Sequence, residues 1–270
     1  MKRLNFFIIL STLIITACAQ NTGSGSAGIT IIRSDSIEIP DTIPNYLLLG
    51  QYDPAKEEGF TRIADQYTTK SNIYMRTEAY EAFLAMRDSA KNDGITLTIV
   101  SATRTFEMQK WIWEGKWNGK RRVEGKYLNV AYPDPTERAL AILRYSSMPG
   151  TSRHHWGTDI DINSVVPSYF QTAQGKKELA WLETNANYFG YYRPYTEYGE
   201  NRQTGYQPEE WHWSYLPLAV PLQNAYKRQI QSIDIKGFDG DEAVFATKVI
   251  SNYVFGIDRS CFILPEKFKQ

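Results

Sequence analysis

The three histidines of this chain lie in two short segments that are rich in acidic residues. His154 and His155 open a stretch that ends at Asp161, and His212 follows Glu209 by three residues. A catalytic zinc ion takes three protein ligands of nitrogen or oxygen type and leaves a fourth position to water. That water needs a nearby carboxylate as its general base. Two imidazoles, one aspartate and a spare glutamate meet these needs, so the pattern predicts a hydrolytic zinc site.

Spacing alone leaves the ligands of the first segment open. On a regular strand His155 and Asp161 share a face, whereas His154 and Asp161 do not. Gly157 lies between them and could introduce a bend that reverses this relation. Either histidine therefore remains a candidate ligand on spacing.

The second segment is equally ambiguous. Glu209 and His212 would share a face of a helix but would lie on opposite faces of a strand. Pro208 precedes them and favours an irregular approach. We expect Glu209 to lie on a turn and His212 on the strand that follows.

Three separated motifs carry a resemblance to a known family. Ser-x-His-x-x-Gly-x-x-x-Asp ends at Asp161, and Glu-x-Trp-His ends at His212. Upstream, Ser-x-x-Arg-x-x-x-x-Gln runs from Ser101 to Gln109. Together they resemble the VanY-type D-alanyl-D-alanine carboxypeptidases, which belong to a group of zinc peptidases that includes lysostaphin and the hedgehog signalling domain. The resemblance covers roughly residues 74–215.

The resemblance implies a ligand set and a base. His154, Asp161 and His212 would be the ligands of a Zn²⁺ cofactor. Glu209 would be the general base that takes a proton from the attacking water and passes it to the leaving amine. The implied activity is hydrolysis of the D-Ala terminus of peptidoglycan stem peptides.

It also implies residues that bind the substrate. Arg104 would hold the scissile carbonyl oxygen or the substrate carboxylate, where a fixed guanidinium suits developing negative charge. Ser152 and Gln109 would hydrogen-bond the terminal carboxylate, and His155 would be a neighbour of the site. One departure is Asp159, because the family usually has a small residue there. Asp159 should face the same way as Asp161, so it either supports the site or replaces Asp161 as ligand.

Other functions remain to be weighed against this activity. The same site could serve an L,D-carboxypeptidase, an endopeptidase on the same polymer, or a non-catalytic wall-binding module. Glu209 argues against the last, because a structural zinc has no use for an unliganded base. A serine D,D-peptidase would need Ser-x-x-Lys, and no serine of this sequence has a lysine three residues later.

The N-terminal segment predicts export and a lipid anchor. Residues 1–17 combine Lys2 and Arg3 with a short apolar run, which is typical of a signal peptide. Ile-Thr-Ala-Cys resembles the lipobox of bacterial lipoproteins and would place a lipid on Cys18. We therefore expect a protein of the bacterial cell envelope, with residues 18–45 as lipidated cysteine and flexible linker. Cys261 would then have no disulfide partner and is expected to be a buried thiol.

The elements that must position these residues indicate an α+β fold. The resemblance implies a small, mostly antiparallel sheet flanked by helices, like that of hedgehog and the D-Ala-D-Ala peptidases. Residues 46–233 would form the zinc peptidase domain, and 234–270 a C-terminal extension packed on it. The patterns predict four helices and three strands. The helices are Arg76–Asn92, Thr105–Trp117, Pro135–Tyr145 and Lys176–Tyr188, and the strands are Ile95–Val100, Gly157–Asn163 and Glu210–Tyr215.

The charge balance limits the partners. Thirty basic and thirty acidic residues give a formal net charge of zero. Nucleic-acid binding needs a basic surface that displaces counterions from phosphates, so this class is disfavoured. The expected partners are peptidoglycan stem peptides and, through the anchor, a membrane. We expect the protein to be a monomer.

Overall fold

The segment that contains Asp161 and the segment that contains His212 pair as neighbouring strands of a four-stranded sheet. A computed structural model describes residues 42–269 of the chain. All pairings within the sheet are antiparallel. A separate two-stranded antiparallel hairpin lies earlier in the chain. The strands are β1 (Phe60–Arg62), β2 (Tyr74–Arg76), β3 (Ile99–Ser101), β4 (Asp159–Ile162), β5 (Tyr191–Tyr192) and β6 (His212–Tyr215), and the order in the large sheet is β3-β4-β6-β5.

Helices surround these sheets, which confirms the predicted α+β fold with a small antiparallel sheet flanked by helices. The α-helices are α1 (Asn45–Leu48), α2 (Thr77–Asn92), α3 (Phe106–Trp117), α4 (Leu128–Ala131), α5 (Pro135–Leu143), α6 (Ala173–Asn185), α7 (Leu216–Gln229) and α8 (Val244–Thr247). The 3₁₀ turns are Asp65–Tyr67, Arg153–Trp156, Pro167–Gln171, Ala186–Phe189, Ser232–Asp234, Asp241–Ala243, Arg259–Phe262 and Glu266–Phe268, and a π turn spans Ile250–Val254.

All seven predicted helices and strands exist, with shifted ends. Helix α3 begins one residue later than predicted because Thr105 is its cap and accepts a hydrogen bond from the Met108 backbone N–H at 3.2 Å. Helix α6 begins three residues early, because the Thr172 hydroxyl caps it through the Gly175 N–H. The strand predicted from Ile95 pairs only from Ile99 onward.

Helix α7 was not predicted. It carries Pro217 at its first turn and Pro221 inside it. A proline in a helix interior removes a backbone donor and disfavours the helix. Burial of one face compensates, since Leu216, Ala219 and Leu222 belong to the core.

The large sheet has two chemically different faces. Ile160, Ile162 and Trp213 lie on one face, in a hydrophobic core that also contains Phe83 and Met86 of α2. The alternating residues of β4 and β6 lie on the opposite face and are polar yet buried. They are Asp159, Asp161, His212 and Ser214.

A second core lies among α1, α3, α5 and α7 and extends into the C-terminal residues. Ile235, Phe238 and Ile257 are buried in it, and the buried Cys261 thiol belongs to it, as expected. Residues 42–269 lie within one compact unit. The predicted boundaries at residues 45 and 233 remain predictions.

The predicted signal peptide, Cys18 and most of the linker lie outside the described residues. Among residues 42–269, the helices are all too short or too polar to cross a membrane.

Candidate metal centre

Strand pairing brings one carboxylate and one imidazole together. Asp161 on β4 lies directly opposite His212 on β6 in the antiparallel register. Side chains opposite each other on one face of a sheet are within contact distance. Both are buried, at 4% and 3% exposure.

His154 reaches the same point from a turn rather than from a strand. It lies in the 3₁₀ turn Arg153–Trp156, which ends at Gly157 in the left-handed region with φ +71°. Gly157 therefore reverses the chain between His154 and β4, which is the bend that spacing alone left open. The ring centroids of His154 and His212 lie 4.6 Å apart.

Three ligand atoms converge. His154 Nε2 and His212 Nδ1 each lie 3.4 Å from Asp161 Oδ1, and one ligand atom from each residue lies within 4.8 Å of the others. The other ring nitrogen of each histidine donates a hydrogen bond to a different residue. His154 Nδ1 donates to the Ala102 carbonyl at 2.9 Å, and His212 Nε2 donates to Asp159 Oδ2 at 2.9 Å. Each imidazole therefore turns a free lone pair toward the other two residues, as a metal site requires.

The electrostatics also fit a cation. Asp161 Oδ1 is buried and has no hydrogen-bond partner among the described residues. Burial lowers the pKa of His212, but the neighbouring carboxylates of Asp159, Asp161 and Glu209 outweigh it and raise that pKa well above its usual value. Burial raises the pKa of Asp161, yet His154 and His212 hold it well below its usual range. A divalent ion would complete this negatively charged cluster.

Glu209 supplies the spare carboxylate. It precedes β6 in an irregular loop, as expected, and its Oε2 lies 3.3 Å from His212 Nδ1. Its backbone N–H donates to the Tyr195 carbonyl at 2.9 Å, and the Tyr195 ring packs edge-on against His212 with centroids 4.7 Å apart. Glu209 is thereby fixed beside the three ligand atoms and still borders the cleft.

Arg104 enters the centre from the segment after β3. Its NH1 donates to Gln109 Oε1 at 2.9 Å, and its NH2 donates to Ser101 Oγ at 3.4 Å. NH2 also lies 3.9 Å from Asp161 Oδ2. The three residues of the upstream motif therefore meet in space, with the guanidinium bordering the cleft.

Gln109 and Ser152 have different surroundings. Gln109 is fully buried, and its Nε2 donates to the Ser147 carbonyl at 2.7 Å. With its Oε1 taken by Arg104, both ends of this amide are engaged within the protein, so the structure places Gln109 behind Arg104. Ser152 borders the cleft beside His154. That either residue contacts substrate stays a prediction.

His155 is held away from the three converging atoms. Its Nδ1 donates to the Arg104 carbonyl at 2.6 Å, and its Nε2 accepts from the Gly150 N–H at 3.0 Å. Burial lowers its pKa to about 3, which keeps the ring neutral at ordinary pH. Both ring nitrogens therefore hydrogen-bond to the backbone, one at Arg104 and the other at Gly150, before the turn that carries His154.

The cleft has a volume of about 790 Å³. It opens over Asp161, His154 and His212, and part of its wall is aromatic. The aromatic residues include Tyr145, Tyr195, Tyr206 and Trp211.

Sequence reasoning missed the network behind His212. Asp159 is tied to Arg153 and Ser214, although only Asp159 had been noted as unusual. The available signal was strand alternation, which places Asp159, Asp161 and His212 on one face once β4 and β6 are paired.

The family assignment agrees with this geometry. A family model described as D-alanyl-D-alanine carboxypeptidase, VanY, matches residues 72–218, more than half of the chain. The chain belongs to the VanY family. The match begins near β2 and ends in the first turn of α7, so it contains every residue of the metal centre.

Curated relatives match parts of this VanY-family chain. A D-alanyl-D-alanine carboxypeptidase of Enterococcus faecalis is 30% identical over 131 residues, covering 48% of this chain and 44% of that protein. YodJ of Bacillus subtilis, named a carboxypeptidase, is 29% identical over 197 residues, covering 67% of this chain and 63% of that protein. The chain thus spans less than two thirds of the length of these relatives.

Solved structures with a similar chain include two peptidases. The LdcB LD-carboxypeptidase has 25% identity and a TM-score of 0.46, covering 73% of this chain and 80% of that chain. A mutant of the vancomycin resistance D,D-pentapeptidase VanY, in complex with Zn(II), has 23% identity and a TM-score of 0.44, covering 68% of this chain and 94% of that chain.

Proposed function

We propose that this chain is a zinc-dependent carboxypeptidase that hydrolyses the D-Ala terminus of peptidoglycan stem peptides. The observation that carries the proposal is the convergence of His154, Asp161 and His212 with the carboxylate of Glu209 beside them. A purely structural zinc site is normally closed by four protein ligands and needs no spare base. Membership of the VanY family supports a peptide of the bacterial wall as substrate.

His154, Asp161 and His212 would hold the ion, and a bound zinc ion would lower the pKa of water at this site to about 7 and so supply the nucleophile. Glu209 performs the proton transfers. Its side chain is 16% exposed and borders the cleft, so it can accept a proton from the attacking water and return it to the leaving amine.

Arg104 binds the negative charge of the substrate. Gln109 and Ser101 fix its guanidinium on one side, and one side-chain nitrogen lies 3.9 Å from Asp161. A fixed guanidinium aimed into a cleft stabilises a carboxylate or a developing oxyanion without reorganising. Ser152 also borders the cleft, and its hydroxyl would donate a hydrogen bond to the terminal carboxylate.

The decisive experiment presents defined muropeptides to the purified protein, with and without a chelator. We expect the pentapeptide to lose its terminal D-Ala, the chelator to stop the reaction, and added zinc to restore it, with products identified by mass. Cleavage of the tetrapeptide alone would instead establish the L,D-carboxypeptidase. Release of no alanine from either peptide by the zinc-loaded protein would contradict the proposal.

A variant separates the base from the metal. Glu209→Gln removes the proton acceptor, so we expect the rate to fall by about 10²–10⁴-fold with zinc still bound. Glu210→Gln makes the same chemical change one residue away on the same cleft, and it reports the effect of lost negative charge alone. Near-normal turnover by Glu209→Gln would show that another group is the base.

We further propose that the protein is tethered to a bacterial membrane through a lipid on Cys18. The lipobox-like Ile-Thr-Ala-Cys and the Gly/Ser-rich segment after it support this proposal. Metabolic labelling with a fatty acid should mark the wild type and not Cys18→Ala. Equal labelling of both would contradict the anchor.

A further inference from the structure

Asp159 lies behind the metal centre with both carboxylate oxygens occupied. It is fully buried, and its Oδ2 accepts from His212 Nε2 and from Arg153 Nε, each at 2.9 Å. Its Oδ1 accepts from the hydroxyls of Thr158 at 2.7 Å and Ser214 at 2.8 Å. No lone pair of this carboxylate faces the three converging ligand atoms without a partner, so Asp159 is not placed to replace Asp161 as a ligand.

Arg153 compensates the buried charge. Its side chain is fully buried beside Asp159. NH1 donates to Gln223 Oε1 at 2.7 Å, NH2 donates to Ser214 Oγ at 2.7 Å, and the guanidinium lies 4.8 Å from the centroid of the Trp156 ring. An isolated buried charge costs several kcal/mol, whereas a pair with complete hydrogen bonding is tolerated. The pair therefore keeps Asp159 ionised within the protein interior.

The two ligand imidazoles are held by acceptors of different charge. His154 donates to the neutral carbonyl of Ala102, whereas His212 donates to the ionised Asp159. A carboxylate acceptor fixes the tautomer of a metal-binding histidine and makes its other nitrogen a stronger donor to the metal. Removal of such a partner typically weakens metal affinity by about 10–100-fold.

We propose that Asp159, with Arg153 as its counter-ion, is a positioning residue that fixes His212 with Nε2 protonated and directs Nδ1 to the metal. This inference rests on the metal site proposed above. It assigns a role to Asp159, which the sequence left open as an alternative ligand, and it links that residue to Gln223 on α7 through Arg153.

Zinc affinity, measured by competition with a chromophoric chelator, tests the inference. Asp159→Asn can keep the two bonds from Arg153 and His212 through its oxygen, while its amide reverses the bonds to the two hydroxyls, so it removes the charge and leaves the contact to His212 in place. We expect the zinc Kd to weaken by about 10-fold for Asp159→Asn and by about 100-fold for Asp159→Ala. An unchanged Kd in both variants would overturn the inference.

Ser214→Ala is the matched control. It removes a hydroxyl that donates to Oδ1, the oxygen that does not face His212, and that accepts from Arg153, and it leaves the bond between Asp159 and His212 in place. Loss of these two bonds should lower the melting temperature of the metal-free protein while leaving the zinc Kd near the wild-type value. Equal weakening of zinc binding in Ser214→Ala and Asp159→Asn would show that general packing, not the contact to His212, sets the affinity.

Imidazole ¹⁵N NMR of the zinc-loaded wild type needs no variant to fold. The three histidines give three sets of imidazole resonances to assign. We expect His212 to carry its proton on Nε2, and His154 and His155 to carry theirs on Nδ1. A proton on Nδ1 of His212 would overturn the inference. Failure of the wild type to bind zinc would instead overturn the metal site, which keeps the two proposals separable.

Discussion

Gly157→Ala is the perturbation whose effect the structure defines best. Gly157 joins the turn that carries His154 to the strand that carries Asp161, and its φ is +71°. A Cβ at this position would overlap the Phe60 ring and lie 3.2 Å from Thr103 Oγ1. This position therefore requires glycine for two reasons: the backbone conformation is left-handed, and there is no space for a Cβ atom.

The magnitude follows from these two contributions. A left-handed conformation costs a residue with a side chain about 1–2 kcal/mol. The overlap is not relieved by a free swing of the ring, because Phe60 packs against Tyr52 at 5.3 Å between centroids and lies under the Arg76 guanidinium at 4.8 Å. Overpacking of this kind adds about 1–3 kcal/mol, so the free energy of unfolding should fall by roughly 2–5 kcal/mol.

Urea unfolding of the metal-free protein measures this loss in the free energy of unfolding, with Gly94→Ala as the matched control. Gly94 has a φ of +72° but no atom within 4 Å of its added Cβ. Its substitution should cost only the backbone contribution of about 1–2 kcal/mol. The difference between the two variants isolates the overlap with Phe60. Equal losses of stability in Gly157→Ala and Gly94→Ala would refute the reasoning, because packing at the turn would then contribute nothing.

Three further predictions concern the surroundings of the site. Gln109→Met removes the amide that holds Arg104, so kcat/KM should fall by one to two orders of magnitude, since a hydrogen bond to a charged group contributes about 1.5–3 kcal/mol; an unchanged kcat/KM would contradict this role. Asp258 accepts a hydrogen bond from the Thr196 hydroxyl at 2.8 Å, so Asp258→Ala should quicken hydrogen exchange in residues 194–201, which include the cleft residue Tyr195. Unchanged exchange would show that the C-terminal segment does not brace this part of the cleft. Burial raises the pKa of the Cys261 thiol to about 12, so a thiol reagent should label it only after denaturation. Rapid labelling of Cys261 in the folded protein, distinguished from Cys18 by peptide mass, would contradict its burial.

The strand-borne part of the site was predictable from the sequence. Alternation places Asp161 and His212 on the face opposite the apolar Ile160 and Trp213 of their strands, and the resemblance implied that both are ligands. The position of His154, which lies in a turn, was not predictable from periodicity. His154 reaches the site because Gly157 adopts a left-handed conformation after a 3₁₀ turn, and periodicity carries no information about such a reversal.

Roles that depend on long-range contacts were also beyond sequence reasoning. Gln109 belongs to the upstream motif, but only the folded chain shows that its amide bridges Arg104 and a carbonyl 38 residues away. Arg153 is adjacent to the first ligand, yet nothing in its neighbours reveals that it faces Asp159. Helix α7 was missed because Pro221 argues locally against a helix that tertiary burial stabilises.

Anomalous diffraction at the zinc edge, from crystals of the zinc-loaded protein, tests the central claim most directly. One strong peak is expected about 2.0–2.2 Å from His154 Nε2, an Asp161 oxygen and His212 Nδ1, with Glu209 beside it and not among the ligands. Zinc bound elsewhere, or bound through His155, would contradict the metal centre and with it the proposed hydrolysis.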